Sequence, residues 1–359
     1  MSALLLPVVH AGVDALLTRT LHFDERDPVA PRRPPLTERD LDILYVLAEL
    51  RYLTTTMVAA LAWGTYNSRL RDRLHVLFHA GLIRRFRPPI VPRSGGAQWI
   101  YELDTKGHRL LAERRPESCP PWKLSELHAF SYAEHDLELN ALLCELAARA
   151  AAHRGRAGAL LHAAPFTIQG PRSGAIDPDH EERPLDAHPS NELPDGDVVR
   201  PGLSHRGPLE PDATLIGKHH QTGELISVLI EYDRTRRATK LTSKFARYDY
   251  FLADGWRRTR FATQPDEPAV LFVTSTEQHL PNALREADRQ LTAATGPPDD
   301  PTRMRYAGRE ELALTSRARL LAGDDTIFQV SPRPAVEAGA RAASAAIAEA
   351  QLPLAAVFG

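Results

Sequence analysis

Residues 210–250 read EPDATLIGKHHQTGELISVLIEYDRTRRATKLTSKFARYDY, and the fold of the chain turns on them. Ile226, Val228, Leu229 and Ile230 form the unbroken aliphatic run of a strand covered on both faces, so residues 226–233 are predicted as a buried strand. Side chains alternate along a strand, which puts Glu231 and Asp233 on the same face. Pro211-Asp212 opens a second run, Ala213 to Ile216, and the segment from Gly217 to Gly223 supplies a turn. The two runs then form a hairpin that brings Asp212 alongside Glu231. Three carboxylates at one point raise each other's pKa, and a hard divalent cation with oxygen ligands relieves the conflict. Asp212, Glu231 and Asp233 are therefore expected to hold Mg²⁺ or Mn²⁺.

The helix after the strand carries Lys240, Lys244 and Arg247 at one-turn spacing, with Leu241, Phe245, Tyr248 and Leu252 as its packing face. Asp212 after a proline, followed by Glu231 two positions before a polar strand end, resembles the PD-(D/E)XK nuclease superfamily. The resemblance implies metal-dependent phosphodiester hydrolysis, with Asp212, Glu231, Asp233, Lys244 and Lys240 as catalytic candidates. One position departs from it, because Asp233 stands where that pattern has lysine. Lys244 and Tyr248, one turn apart, are similar to the Gln-x-x-x-Tyr helix of helicase-associated nucleases, with Lys replacing Gln. A plainer reading stands beside this one: Asp212 ends a turn, Glu231 and Asp233 pair with Arg234, Arg236 or Arg237, and the helix only covers the sheet. Whether Lys244 reaches the carboxylates separates an enzyme from a scaffold.

The chain has 359 residues, 43% apolar and 25% charged, an ordinary globular composition with room for two or three domains. A net charge of −2 excludes a wholesale polycationic binder, so contact with nucleic acid has to come from a local patch. The two cysteines, Cys119 and Cys144, fit a reducing cytoplasm and exclude a disulfide scaffold or a Cys-rich zinc module. Residues 1–17 carry no Lys or Arg ahead of their first apolar run and include His10 and Asp14, so no signal peptide is expected. No apolar stretch reaches the length of a membrane span.

The patch lies in residues 36–116, after an arm or linker at residues 1–35. Thr37 caps a helix running to Leu50, Thr54 to Thr56 cap a second running to Trp63, and a third runs from Thr65 to His79. In the third, Leu70, Leu74, Leu77 and Phe78 form the buried stripe, leaving Ser68 and Arg69 outward with Arg71 and Arg73 on the flanks. Strands at residues 82–86 and 99–103 enclose a Pro/Gly loop, and a closing helix spans residues 105–115. Three helices and a two-stranded wing make a winged helix-turn-helix. Arg84, Arg85, Arg87 and Arg93 fall in the wing with no acidic residue among them. Ser68, Arg69, Arg71, Arg73 and these four arginines are the DNA-binding candidates, the third helix for the major groove and the wing for phosphates.

Residues 125–330 are expected to form a second domain. A long helix covers residues 125–152, a strand follows at 165–169, and residues 170–208 form a mobile insert. Later come a strand at residues 269–274, a helix at 280–291, and a strand and then a helix at 304–307 and 310–314. The overall class is α/β (α+β overall): a winged helix-turn-helix, then a nuclease-like mixed sheet flanked by helices. An alanine-rich tail at residues 331–359 carries a helix as far as Ala350. Leu36-Thr37-Glu38-Arg39-Asp40, the helix with His135 to Asn140, Pro211-Asp212, Glu231-x-Asp233-Arg234, Lys244-x-x-x-Tyr248 and the strand at residues 270–273 together resemble the replication-relaxation family of plasmids, phages and integrative elements. The resemblance implies double-stranded DNA and replication or relaxation machinery as partners, with a homodimer as one assembly. It leaves open a DNA nickase or a transcriptional or replication-initiation regulator whose nuclease-like domain is an inactive platform for dimerisation or partner binding.

Overall fold

The computed structural model describes residue 24 and residues 35–87, 98–122, 130–170, 209–219, 222–234, 238–253, 255–295, 305–330 and 347–351. Arg93, almost all of the expected insert and most of the alanine-rich tail lie outside the described residues. The chain divides into two compact units, residues 1–173 and 174–359, and each contains helices and strands.

The first described helix of the first unit is α1 (Glu38–Leu50), whose entry is fixed by a cap in which Asp40 accepts from the Thr37 backbone N–H at 2.6 Å and from its hydroxyl at 2.8 Å. A short strand, β1 (Leu53–Thr54), leads into α2 (Thr55–Val58), whose first turn is capped by the Thr54 hydroxyl and which continues as a π-helical turn to Trp63. Gly64, at φ +92°, ends it. The next helix, α3 (Ser68–His79), starts three residues later than Thr65, because Asn67 is the N-cap and accepts from the Leu70 N–H at 2.9 Å. Its buried residues are Leu70, Leu74, Leu77 and Phe78, as the spacing predicts. Strands β2 (Ile83–Phe86) and β3 (Ile100–Leu103) pair antiparallel, and β1 joins β3 on its other side, giving the order β1-β3-β2.

Helix α4 (Thr105–Arg114) closes this group, with Gly107 lying so close to the residue that leads into β2 that a Cβ there would sit 2.1 Å from the Leu82 carbonyl oxygen. The long helix α5 (Phe130–His153) falls in this unit too, with α6 (Leu160–Ala163) and β4 (Phe166–Gln169). A division near residue 125 is expected from sequence, yet the side chain of Asn140, 2% exposed, donates to the carbonyls of both Leu50 and Tyr52 at 2.8 Å. Arg51 pairs with Asp136 at 3.0 Å. These bonds tie α5 to the end of α1, which is why the compact unit extends past it.

The second unit contains β5 (Ala213–Lys218), β6 (Leu225–Asp233), α7 (Ala238–Ala253), β7 (Ala269–Thr274), α8 (Leu280–Gln290), α9 (Ala307–Glu311), β8 (Leu312–Ser316), α10 (Arg317–Ala322), β9 (Thr326–Val330) and β10 (Ile347–Gln351). Within the unit the strands run in the order β10-β9-β8-β7-β6-β5. The middle trio β6-β7-β8 is parallel, while β5 pairs antiparallel with β6, β9 with β8 and β10 with β9. Phe245, Tyr248 and Phe251 of α7 and Ala283 and Ala287 of α8 pack with Phe272, Leu312 and Leu314 of the sheet into one apolar cluster. A parallel pair needs a crossover between its strands, and α7 and α8 supply the two that this trio requires.

Two details correct the expectations. The pair near residue 310 runs helix then strand, since Leu312 to Ser316, buried throughout, continues the parallel sheet beside β7. Residues 347–350, expected in a helix, belong instead to the strand β10, because backbone pairing with β9 outweighs the helical preference of alanine.

Candidate functional site

The β5–β6 hairpin sets the first pair of acids. Ala213 pairs with Ile230, so Asp212 stands one step beyond, next to Glu231. Its carboxylate accepts from the Tyr232 backbone N–H at 2.7 Å, which holds Asp212 at the strand end. Glu231 sits on β6 between antiparallel and parallel neighbours and is 1% exposed. Such a carboxylate is costly unless its oxygens are satisfied, and α7 satisfies both. The Tyr248 hydroxyl donates to Oε1 at 2.7 Å, and the Lys244 ammonium bonds Oε2. Lys244 Nζ also stands 4.0 Å from Asp212 Oδ2.

The helix places these groups because Leu241, Phe245, Phe251 and Leu252 are buried around them. Phe245 packs on Phe272 at 4.8 Å between ring centroids, so the one-turn spacing of Lys244 and Tyr248 aims both at β6. Burial pushes the Glu231 carboxyl up to about 7, against the pull of Lys244 and the phenol. Burial draws the Lys244 ammonium down, but Glu231 and Asp212 outweigh it and hold the group above the usual lysine range. The phenol of Tyr248 is likewise pushed far up by burial and by Glu231.

The sequence candidates thus separate. Asp212, Glu231 and Lys244 come together. Asp233 is buried two positions along β6, and its charge is felt at Lys244. Lys240 is exposed, one turn before Lys244. The three-acid cluster expected from strand alternation does not form: among the described residues, no group of three His, Cys, Asp or Glu is placed to hold a metal ion. The acids gather as a pair around an ammonium, which supplies the positive charge that the sequence reading assigned to a cation. An all-oxygen pair still suits Mg²⁺ or Mn²⁺, which take one or two carboxylates and complete their shell with water and substrate phosphate. Asp212 and Glu231 are the residues that would hold it.

In the first unit, Ser68, Arg69 and Arg71 are exposed on α3, beside the exposed Tyr66. Arg73 is turned inward, with Nε and Nη2 bonding the two carboxylate oxygens of the buried Asp40 at 2.5 Å each and Nη2 reaching the Pro35 carbonyl. It locks α3 to α1. In the hairpin, Arg84 pairs with the buried Glu102. Arg85 pairs with Asp24 at 2.6 Å and stacks on Phe78 and Trp99 at 4.1 and 4.2 Å. Arg87 is exposed and covers Trp99 at 4.2 Å. No acid falls between Gly81 and Gln98, yet Glu102 and Asp24 reach in from elsewhere in the chain. Cross-strand pairing of residues 84 and 102 was the available signal for the first.

A family model described as replication-relaxation matches residues 44–264. The chain belongs to the replication-relaxation family. No curated protein and no solved structure matches it. The replication-relaxation match includes both α3 and the whole of the Asp212–Glu231–Lys244–Tyr248 arrangement. No helix among the described residues is long and apolar enough to cross a membrane.

Proposed function

We propose that this replication-relaxation protein is a DNA-binding protein of a mobile element, acting in the replication or relaxation of element DNA through a metal-dependent nicking site. The single observation that carries the reading is the meeting of Asp212, Glu231 and Lys244 at one strand end. A lysine missing from β6 is supplied from α7 and lies against both acids. In this reading the second unit is a PD-(D/E)XK-like domain. Asp212 and Glu231 hold Mg²⁺ or Mn²⁺, which supplies Lewis-acid stabilisation to the phosphate. Lys244 meets the charge that builds on the phosphoryl oxygens, Tyr248 fixes the Glu231 carboxylate, and Asp233 biases the lysine from behind.

The first unit is read as a winged helix-turn-helix. Its α1, α2 and α3 precede a two-stranded hairpin, and Ser68, Arg69, Arg71 and Arg87 are the groups placed to meet the duplex. Incubation of supercoiled plasmid with the protein and Mg²⁺ tests the reading. Open-circle product is expected from the wild type and none from Glu231→Ala, with duplex binding retained in both.

A regulator with an inactive nuclease-like domain is supported by one observation, that both oxygens of Glu231 are already engaged by side chains of α7. A footprint on element DNA that Glu231→Ala leaves unchanged, with no cleavage by the wild type, would favour it.

A further inference from the structure

We infer that Lys244 is an internal stand-in for the divalent cation: its ammonium and a metal ion take the same seat between Glu231 and Asp212 in turn, giving a lysine-closed and a metal-loaded state. The inference rests on the metal-site reading above and adds to it how the site is gated. Glu231 is 1% exposed, with Oε1 held by Tyr248 and Oε2 by Lys244. A divalent ion bound to Oε2 would sit about 2.0–2.1 Å away, whereas a charge-assisted ammonium contact is about 2.7–2.9 Å. Both cannot occupy that side of one oxygen, because a double and a single positive charge would then be nearly in contact.

The two sides of the contact differ in freedom to move. Glu231 is fixed in a sheet with paired strands on both sides. Lys244 has an unbranched stem, and its side chain is 32% exposed, so it can withdraw. Asp212 forms the outer wall. Its side chain is 24% exposed, its Oδ2 keeps the Tyr232 N–H, and that oxygen lies 4.0 Å from the ammonium. Among the described residues, the ammonium is held by the charge of Glu231 first, then of Asp212, with a smaller contribution from Asp233. Removing the lysine therefore leaves Glu231 and Asp212 without the cation between them, a place that an added metal can fill.

The test is Mn²⁺ binding to the full chain, read by electron paramagnetic resonance and by thermal unfolding. Lys244→Gln is expected to bind Mn²⁺ at least tenfold more tightly than the wild type. It is also expected to melt lower than the wild type in EDTA and to recover with Mn²⁺, and the double variant Glu231→Gln/Lys244→Gln should lose that recovery. Equal or weaker Mn²⁺ affinity in Lys244→Gln, including no binding by either protein, overturns the inference. A second readout needs no variant: acetylation of Lys244 in the wild type, followed by mass spectrometry, should rise several-fold when Mn²⁺ is added. An unchanged rate with Mn²⁺ bound overturns it equally. Plasmid nicking without these changes would leave the proposed function standing and remove the lysine gate. The changes without nicking would do the reverse.

Discussion

Glu231 is the residue on which the proposed chemistry of the second unit turns, a buried carboxylate held by a phenol and an ammonium from one helix. Its carboxyl is raised to about 7, mainly by burial. An acid raised in this way binds its proton more tightly folded than unfolded. The stability this proton brings is complete below the unfolded value and is lost as pH rises through about 7. Ionised carboxylate appears over the same window, so Mn²⁺ affinity should strengthen by about tenfold between pH 6 and 8. A titration series across that range checks it, and a flat profile would count against Glu231 as a ligand. Tyr248→Phe removes the phenol that donates to Oε1, and should cost about 1–3 kcal/mol in urea unfolding. Asp212 and Glu231 were legible in the sequence because a hairpin and a two-residue alternation fix where they go. The engagement of Tyr248 was not, since a tyrosine at an apolar helix position reads as packing until the strand beneath it is known.

At the level of elements, the α3 arginines look equivalent in sequence and are not. Arg73 is committed to Asp40, whose side chain is fully buried, whereas Arg69 and Arg71 face solvent. Arg73→Ala leaves that buried carboxylate without its charge partner, with only the Thr37 bonds described for it, and should cost about 3–5 kcal/mol in chemical denaturation, while Arg69→Ala and Arg71→Ala should each stay within about 0.5 kcal/mol. Helical spacing places a residue on a flank but cannot say that a buried acid on another helix waits there, so Arg73 was misplaced among the DNA contacts. Gly107 offers a second contrast of effects. On propensity alone, Gly107→Ala inside α4 would gain about 1 kcal/mol. A methyl group 2.1 Å from the Leu82 carbonyl oxygen forces backbone apart, however, and overpacking costs about 1–3 kcal/mol. Net destabilisation is expected, and a stabilised variant would mean that α4 shifts freely on the hairpin. The buried runs that became β6, β7 and α8 were readable because their periods are unambiguous. The order of α9 and β8 was not, because Glu310 and Glu311 beside an apolar run fit either element.

For the whole molecule, the proposed function divides between the units, duplex recognition in the first and cleavage in the second. Arg69→Ala and Arg71→Ala should each weaken duplex binding and reduce the slope of log K against log salt by about one, with Mn²⁺ affinity at Glu231 unchanged. The family match spanning residues 44–264 includes both sets of residues. The boundary between the units was the least readable global feature. Nothing in the pattern of α5 discloses that Asn140 reaches the carbonyls of Leu50 and Tyr52. The most direct measurement is conversion of supercoiled plasmid to open circle in Mg²⁺ or Mn²⁺, run in parallel for the wild type and Glu231→Ala, with duplex binding followed in the same preparations. Nicking by the wild type, none by the variant, and equal binding by both are expected. Absence of nicking by the wild type in either metal, or undiminished nicking by Glu231→Ala, would contradict it.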